Sequence, residues 1–142
     1  MQLDVYGRPC YDSWQVLVLH GGLGDGAWDI SERCSVANDL RPLRNVFEPG
    51  MNPVIVNMLW SDPTDSDSLM KLGVHQTQRG QGILEFGPDI TASFCERNQI
   101  DLVIRSHQYV REGFKIMHSG RLITLFSGFP GIPLPGVITT TH

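Results

Sequence analysis

Two histidines stand where the sequence could place reactive side chains. His20 follows the apolar run 15–19, and His107 comes shortly after the apolar run 100–104. Both runs predict buried strands, and α/β folds bind ligands where strands end at one edge of a sheet. A neutral imidazole held there is a common metal ligand. Taken alone, each histidine is more simply explained as a hydrogen-bonded residue at the end of a strand.

Two arginines extend this candidate site. Arg79 precedes Gly80 in a polar loop, and its planar guanidinium could hold two phosphate oxygens at once. The simpler alternative is an arginine in contact with solvent. Arg105 lies two residues before His107, where it could pair with a carboxylate or cover the rim of the site. For Arg105 that supporting role is the preferred interpretation.

The first half of the chain predicts a strand, a helix and long connections. A strand over 15–19 is followed by a helix over 29–40 that Pro42 ends. Residues 45–57 look irregular, with a short strand over 54–56. Residues 64–82 are polar and without periodicity, which predicts a surface loop.

The second half predicts a strand over 83–86 and a helix that opens at Pro88 and stops near Asn98. Ile90 and Phe94, four apart, should face the core. After the strand over 100–104, two further strands at 114–117 and 122–126 flank a short turn and predict a β-hairpin. The order of elements indicates a layered α/β domain. Three other histidines are expected to be exposed in loop, turn and tail: His75, His118 and His142.

Composition excludes several classes of protein. The net charge is −4, from 11 basic and 15 acidic residues, which argues against a nucleic-acid binder. No apolar run approaches the ~18 residues of a membrane helix, and no secretory signal is visible. The three cysteines lack CxxC spacing, so neither a disulfide scaffold nor a structural zinc site is expected. These features favour an intracellular location, cytoplasmic or nuclear.

Other motifs match only in part. A calcium loop counted from Asp65 has Met70 and Gln76 where Gly and Glu are needed. The segment GLGDGA at 22–27 fits a dinucleotide-binding loop weakly, because no clean βαβ unit follows. The stretch LVLHGG is also found in α/β-hydrolases, a weaker alternative, because the chain has no GxSxG elbow.

Six segments in order resemble the phosphoprotein phosphatases, the Ser/Thr-specific members of the calcineurin-like metallophosphoesterases. Their order and spacing match that family over residues 16–127. The WSDPTDSDS variant at 60–68 is similar to the Kelch-repeat branch, although no Kelch repeat is present. The segments are HGGLGDG at 20–26, RPL at 41–43, MLWSDPTD at 58–65, RGQGILEFGPD at 79–89, IDLVIRSHQYVREGF at 100–114 and SGRLITLFS at 119–127.

The resemblance implies roles for the candidate residues. His20 and His107 would bind the same metal ion, which requires ring nitrogens within ~5 Å of each other. Arg79 would hold the substrate phosphate, with Arg105 and Asp62 behind these groups. The family uses a dinuclear centre of Mn, Fe or Zn that activates a hydroxide for in-line attack on phosphorus. The implied partners are a phosphoprotein substrate and a regulatory subunit.

The family's motifs GDxHG, GDxVDRG and GNHE do not occur in this sequence. The resemblance therefore implies the C-terminal half of a β-sandwich flanked by helices, which ends in the hairpin. Residues 1–127 would be a partial catalytic domain and 128–142 a Pro/Gly-rich tail. No catalytic residue beyond the metal and phosphate ligands is retained. The family hydrolyses phosphoserine and phosphothreonine, but the isolated chain should be inactive, with some strand side chains left exposed. The alternative is a binding module, a pseudophosphatase, that keeps Arg79 and Arg105.

Overall fold

The computed structural model describes residues 14–30, 52–64 and 71–127. Within these ranges the protein is a mixed α/β structure with two β-sheets, two α-helices and a short 3₁₀ turn at His118–Gly120. The predicted α/β class is confirmed. The elements are β1 (Val16–Val18), α1 (Pro53–Trp60), β2 (Asp62–Pro63), β3 (Val74–Gln76), β4 (Leu84–Phe86), α2 (Pro88–Asn98), β5 (Leu102–Arg105), β6 (Phe114–Met117) and β7 (Leu122–Leu125).

The larger sheet has the strand order β1-β5-β7-β6. β1, β5 and β7 run parallel, and β6 pairs with β7 in antiparallel orientation as the predicted hairpin. Val18 pairs with Ile104, so β1 and β5 end at the same edge of the sheet. This register places the residues that follow the two strands side by side.

The smaller sheet has the order β2-β4-β3. β3 lies within the stretch 64–82, which the sequence predicted to be a loop, and it pairs with β4 in antiparallel orientation. The pairing joins Val74 to Phe86 and Gln76 to Leu84. A three-residue strand is too short to show a periodic pattern, so only its partner strand reveals it.

The strand predicted over 54–56 is wrong, because these residues belong to helix α1. Pro53 opens the helix, and the Asn52 side chain accepts the amide N–H of Val54 at 3.0 Å. Asn57 fixes the helix in place: its side-chain nitrogen donates to the carbonyls of Pro53 and Gly82, and its oxygen accepts from Leu84. These capping and long-range contacts override the strand preference of the β-branched residues.

Helix α2 begins at Pro88 and ends at Asn98, as predicted. Gln99 follows in the left-handed conformation with φ 56°, and its N–H closes the last turn. Phe94 is fully buried and Ile90 packs against the core, which confirms the face predicted for the helix.

Two of the expectations for the other histidines need correction. His118 is only 2% exposed, because the turn of the hairpin packs beneath α2. Its Nδ1 lies 2.7 Å from the Thr91 hydroxyl, and its ring contacts Phe86 edge-on. His75 lies on β3, partly buried, with its ring 2.8 Å from the Leu72 carbonyl. His142, the tail 128–142 and nearly all of the helix predicted over 29–40 lie outside the described residues.

The core lies between α2 and one face of the larger sheet. It is aliphatic and aromatic, and Phe86 of the smaller sheet reaches into it. The opposite face of the larger sheet carries several exposed apolar side chains, and no described element packs on it. The core residues are Leu23, Trp28, Phe86, Phe94, Cys95, Val103, Met117 and Leu122.

Candidate metal and phosphate site

The ends of β1 and β5 bring His20 and His107 together. The ladder between these strands continues past them, with the Leu19 N–H donating to the Ile104 carbonyl and the Ser106 N–H donating to the His20 carbonyl, both at 3.1 Å. Because the strands are parallel neighbours, their carboxyl ends reach the same edge of the sheet. A separation of 87 residues along the chain thus becomes a direct contact.

The two imidazoles face each other through one nitrogen each. His107 Nδ1 and His20 Nε2 lie 3.1 Å apart, within the ~5 Å expected, and the ring centroids are 4.9 Å apart. His107 has φ 74°, so its backbone leaves the strand direction and turns the ring towards His20. The indole of Trp60, at the end of α1, contacts the His107 ring edge-on at 5.2 Å.

This pair fits as two donors to one metal ion. A tetrahedral ion with Zn–N bonds of about 2.0–2.1 Å would hold two nitrogens about 3.3 Å apart, close to the observed spacing. The described residues do not complete such a site, since no group of three or more His, Cys, Asp or Glu is arranged among them to hold a metal. His107 Nε2 is buried and has no hydrogen-bond partner within the described ranges.

Burial lowers the pKa of His107, and the positive charge of Arg79 lowers it further, against the opposing effect of Asp62. Arg105 and His20 act in the same direction as Arg79. A lowered pKa keeps the imidazole neutral near pH 7, the form that binds metal ions.

The two glycines after His20 hold this histidine against helix α1. A Cβ on Gly21 would lie 2.7 Å from the backbone oxygen of Leu59 and closer still to its carbonyl carbon. Gly21 N–H donates to the Met58 carbonyl at 2.7 Å, and Gly22 N–H donates to the Asn57 carbonyl at 3.2 Å. The backbone of the HGG motif therefore lies directly against helix α1, and any side chain at Gly21 would push the two apart.

Asp62 of β2 joins the two candidate arginines. Its side chain is 9% exposed; Oδ1 accepts from Arg105 Nη2 at 2.8 Å, and Oδ2 accepts from Arg79 Nε. The link explains why a buried carboxylate is tolerated, since each oxygen has a charged donor.

Arg105 is a structural residue of the site. Its side chain has no exposed surface and donates to the carbonyls of Gly21 and Ser61 and to the Gln108 side chain, at 2.5, 3.1 and 3.0 Å. Burial lowers the pKa of Arg105 to about 10, opposed by Asp62, so the guanidinium stays charged at pH 7. Of the two alternatives given for this arginine, pairing with a carboxylate is the one observed, since Asp62 accepts from it. Gln108 and Ser61 were not identified from the sequence, although Gln108 follows His107 directly.

Arg79 differs from Arg105 in being accessible. Its side chain is 35% exposed, and within the described ranges only its Nε is engaged, by Asp62. The backbone N–H of Arg79 donates to the Thr77 hydroxyl, which fixes the loop. The terminal nitrogens of the guanidinium have no hydrogen-bond partner among the described residues, and the charge of Arg79 acts on His107. Its role as a phosphate ligand remains a prediction, as do the metal roles of the histidines.

Comparison with known proteins places these residues in a family context. The calcineurin-like phosphoesterase family matches residues 2–111. The chain is 41% identical over 113 residues to serine/threonine-protein phosphatase T of Aspergillus oryzae, covering 78% of this chain and 21% of that protein. It is 37% identical over 113 residues to serine/threonine-protein phosphatase BSL2 of Arabidopsis thaliana, covering 80% and 10%. For human serine/threonine-protein phosphatase 5, identity is 36% over 115 residues, covering 80% and 20%.

A solved structure agrees with these relatives. A protein serine/threonine phosphatase from Saccharomyces cerevisiae, described as similar to human phosphatase PP5, matches with a TM-score of 0.58 and 31% identity. The match covers 80% of this chain and 31% of that structure. The resemblance inferred from the six segments is therefore confirmed, while the Kelch-repeat branch stays a prediction. The chain spans about a fifth of phosphatases T and 5, and a tenth of BSL2.

Proposed function

Because the chain belongs to the calcineurin-like phosphoesterase family, we propose that it forms the histidine- and arginine-bearing part of a serine/threonine phosphatase site. The observation that carries the proposal is the pair of facing nitrogens of His20 and His107, 3.1 Å apart. The accessible guanidinium of Arg79, whose charge lowers the pKa of His107, supports it. Its substrates would be proteins that carry phosphoserine or phosphothreonine, and a regulatory subunit is a further expected partner.

Arg79 would bind the phosphate group of the substrate. Asp62 accepts from its Nε, which orients the guanidinium and leaves the two terminal nitrogens to donate to phosphate oxygens. Arg105 would hold Asp62 and the His20–Gly21 turn in place. Arg79 would therefore bind the substrate, while Arg105 supports it from the interior.

His20 and His107 would each give one nitrogen to a metal ion. In this family a metal centre polarises the phosphate and activates water; whether the ion is manganese, iron or zinc is left open. The lowered pKa of His107 favours the neutral ligand. A second ion would need bridging carboxylates, and the described residues bring none to this edge other than Asp62, which is already paired with two arginines.

Metal titration of the purified chain tests the histidine pair. We expect Zn²⁺, measured by calorimetry, to bind wild type, and His20→Ala or His107→Ala to weaken binding by more than about tenfold, because each removes one of two ligands. His75→Ala is the matched control, since His75 lies on the smaller sheet. Unchanged affinity in both site variants would remove the metal assignment.

A binding module is the second candidate function. This function is favoured because Asp62 holds both Arg79 and Arg105 by hydrogen bonds. The described residues, in contrast, do not form a complete set of metal ligands. Binding of a phosphothreonine peptide to the metal-free chain, lost in Arg79→Gln and kept in the exposed control Arg111→Gln, would favour this function. Binding that requires metal and the histidines would favour the phosphatase site.

A further inference from the structure

The two ring nitrogens of His107 lie in different surroundings. Nδ1 faces His20 Nε2 at 3.1 Å, whereas Nε2 is buried and has no hydrogen-bond partner within the described ranges. The indole of Trp60 lies next to the same imidazole, with the ring centroids 5.2 Å apart and the ring planes at 85°. A buried polar nitrogen without a partner is costly, so the group that lies against the imidazole decides where its proton is favoured.

Trp60 is held in this place by the backbone around it. It is the last residue of α1, and the Ser61 N–H closes the helix by donating at 2.9 Å to a carbonyl one turn earlier. The buried side chain of Arg105 donates to the Ser61 carbonyl at 3.1 Å. On the other side, the turn at Gly21 lies so close that a Cβ there would meet the backbone nitrogen of Trp60. The indole therefore starts from a fixed backbone, and its contact with His107 is built into the fold.

The charge distribution of an indole favours one of the two neutral forms of His107. An aromatic ring is negative on its faces and positive at its edge, so a perpendicular neighbour is attracted through its N–H or C–H bonds. An N–H directed at an aromatic face is a weak hydrogen bond, whereas a nitrogen lone pair in that position is repelled. A proton on Nε2 would give this buried nitrogen the indole as its partner, and a proton on Nδ1 would leave a buried lone pair with none among the described residues.

We propose that Trp60 is a positioning residue that keeps the ring proton of His107 on Nε2 and so reserves Nδ1 for a metal ion. In a neutral imidazole one nitrogen carries the proton and the other can bind a metal, and the contact made by one sets the state of the other. The use of Nδ1 as a ligand rests on the metal site proposed above. The position of the proton does not, because it is measured in the chain without metal.

The same assignment fixes the proton between the two histidines. Two nitrogens 3.1 Å apart need one hydrogen between them, since two lone pairs at this distance repel each other. With Nδ1 of His107 unprotonated, that hydrogen belongs to His20 Nε2. When His20 Nε2 binds a metal ion its proton has to leave, and the neutral ring is then protonated on Nδ1. His20 is exposed, so water can carry this proton, whereas His107 keeps the same form throughout.

Nitrogen NMR of the 142-residue chain, labelled with ¹⁵N at histidine, shows which nitrogen of each ring is protonated. At about pH 8 the imidazoles are mostly neutral. His75 is the standard within the spectrum, because its Nε2 lies 2.8 Å from the Leu72 carbonyl and must carry a proton to bond to it. Trp60→Phe keeps an aromatic face beside His107, and Trp60→Leu removes it. Trp14→Leu, at a residue 77% exposed, is the matched tryptophan control.

In wild type we expect His107 and His20 each to be protonated on Nε2, with the N–H signal of His107 shifted upfield by the indole face. Trp60→Leu should lose this shift and raise the ratio of Nδ1-protonated to Nε2-protonated His107 about threefold, the size of a weak N–H···π bond. Trp60→Phe and Trp14→Leu should both stay close to the wild-type ratio. Zinc should move the His20 proton to Nδ1 and leave His107 unchanged.

Three results would overturn the positioning role. A wild-type His107 protonated on Nδ1 would have its proton on the opposite nitrogen. A wild-type His107 signal without the upfield shift would show that the indole turns its edge to the imidazole, and this result decides the case even if Trp60→Leu does not fold. A folded Trp60→Leu variant with the wild-type ratio would reduce Trp60 to packing. Failure of zinc to bind, with the dependence on Trp60 intact, would remove the metal site and support the positioning of the proton.

Discussion

At the scale of single residues, Asp62 determines what the two arginines can do. One carboxylate accepts from the fully buried Arg105 and from the accessible Arg79, so the same group balances an interior charge and orients a surface one. Breaking a buried pair by removing one partner costs far more than breaking an exposed pair, because the remaining charge stays desolvated. Removal of the Asp62 carboxylate should therefore lower the stability of the chain and also weaken anion binding by Arg79.

We expect Asp62→Asn to lower the free energy of unfolding by about 3 kcal/mol, because Arg105 would be left buried without its countercharge. Glu85→Gln, which removes the carboxylate of the more exposed Lys71–Glu85 pair, should cost less than about 1 kcal/mol. Urea denaturation of both variants measures the difference. Equal losses would mean that the Asp62–Arg105 pair is no stronger than a surface contact.

At the scale of elements, the position of His20 depends on how closely the turn after β1 approaches helix α1. The amides of Gly21 and Gly22 donate to carbonyls in the last turns of that helix, which joins α1 to the turn that follows β1. Asn57 ties the same helix to the start of β4. The site is thus built on three packed elements, and a change in their spacing would move His20.

Gly21→Ala should destabilise the chain by about 3 kcal/mol, because the new methyl group would meet backbone atoms of Leu59 and Trp60 that cannot rotate away. Gly73→Ala is the control: Gly73 has φ +81° but nothing within 4 Å of its Cβ position, so only conformational strain of about 1 kcal/mol is expected. Thermal unfolding compares them. A Gly21→Ala variant no less stable than Gly73→Ala would show that the turn can move away from α1.

At the scale of the whole molecule, the two faces of the larger sheet differ in what covers them within the described ranges. One side holds the core, and the other is an apolar surface that ends at the histidine pair. Neither helix of the described ranges has the length and apolar character of a membrane span. The histidine pair and part of the apolar face lie on the same two strands, β1 and β5.

We expect the 142-residue chain, supplied with manganese, to hydrolyse neither a phosphothreonine peptide nor an aryl phosphate above background. Two imidazoles would hold an ion loosely, without a carboxylate bridge to orient its water. The assay is phosphate release, and human serine/threonine-protein phosphatase 5 is the positive control. Metal-dependent turnover by the chain alone, abolished by His20→Ala, would show that its own residues suffice.

The local pattern of the sequence determined much of this structure. The apolar runs that became β1 and β5, the Pro88–Asn98 helix and the final hairpin were all predicted, because each carries its own start, stop or alternation signal. The proximity of His20 and His107 was also predicted, since each comes shortly after a strand and lies in a recognisable motif. The family followed from the order of such motifs.

Where the sequence signals were short or contradictory, only the tertiary structure decided the conformation and the burial of the residues. Residues 54–56 are β-branched and suggest a strand, but the Asn52 cap and the long-range bonds of Asn57 make them helical. The turn histidine His118 is buried because α2 lies over it. Likewise, Asp62 and Arg105 are 43 residues apart, and only the folded chain joins them at 2.8 Å. Short-range patterns record the preferences of the backbone, whereas burial and ion pairing depend on which distant segments pack together.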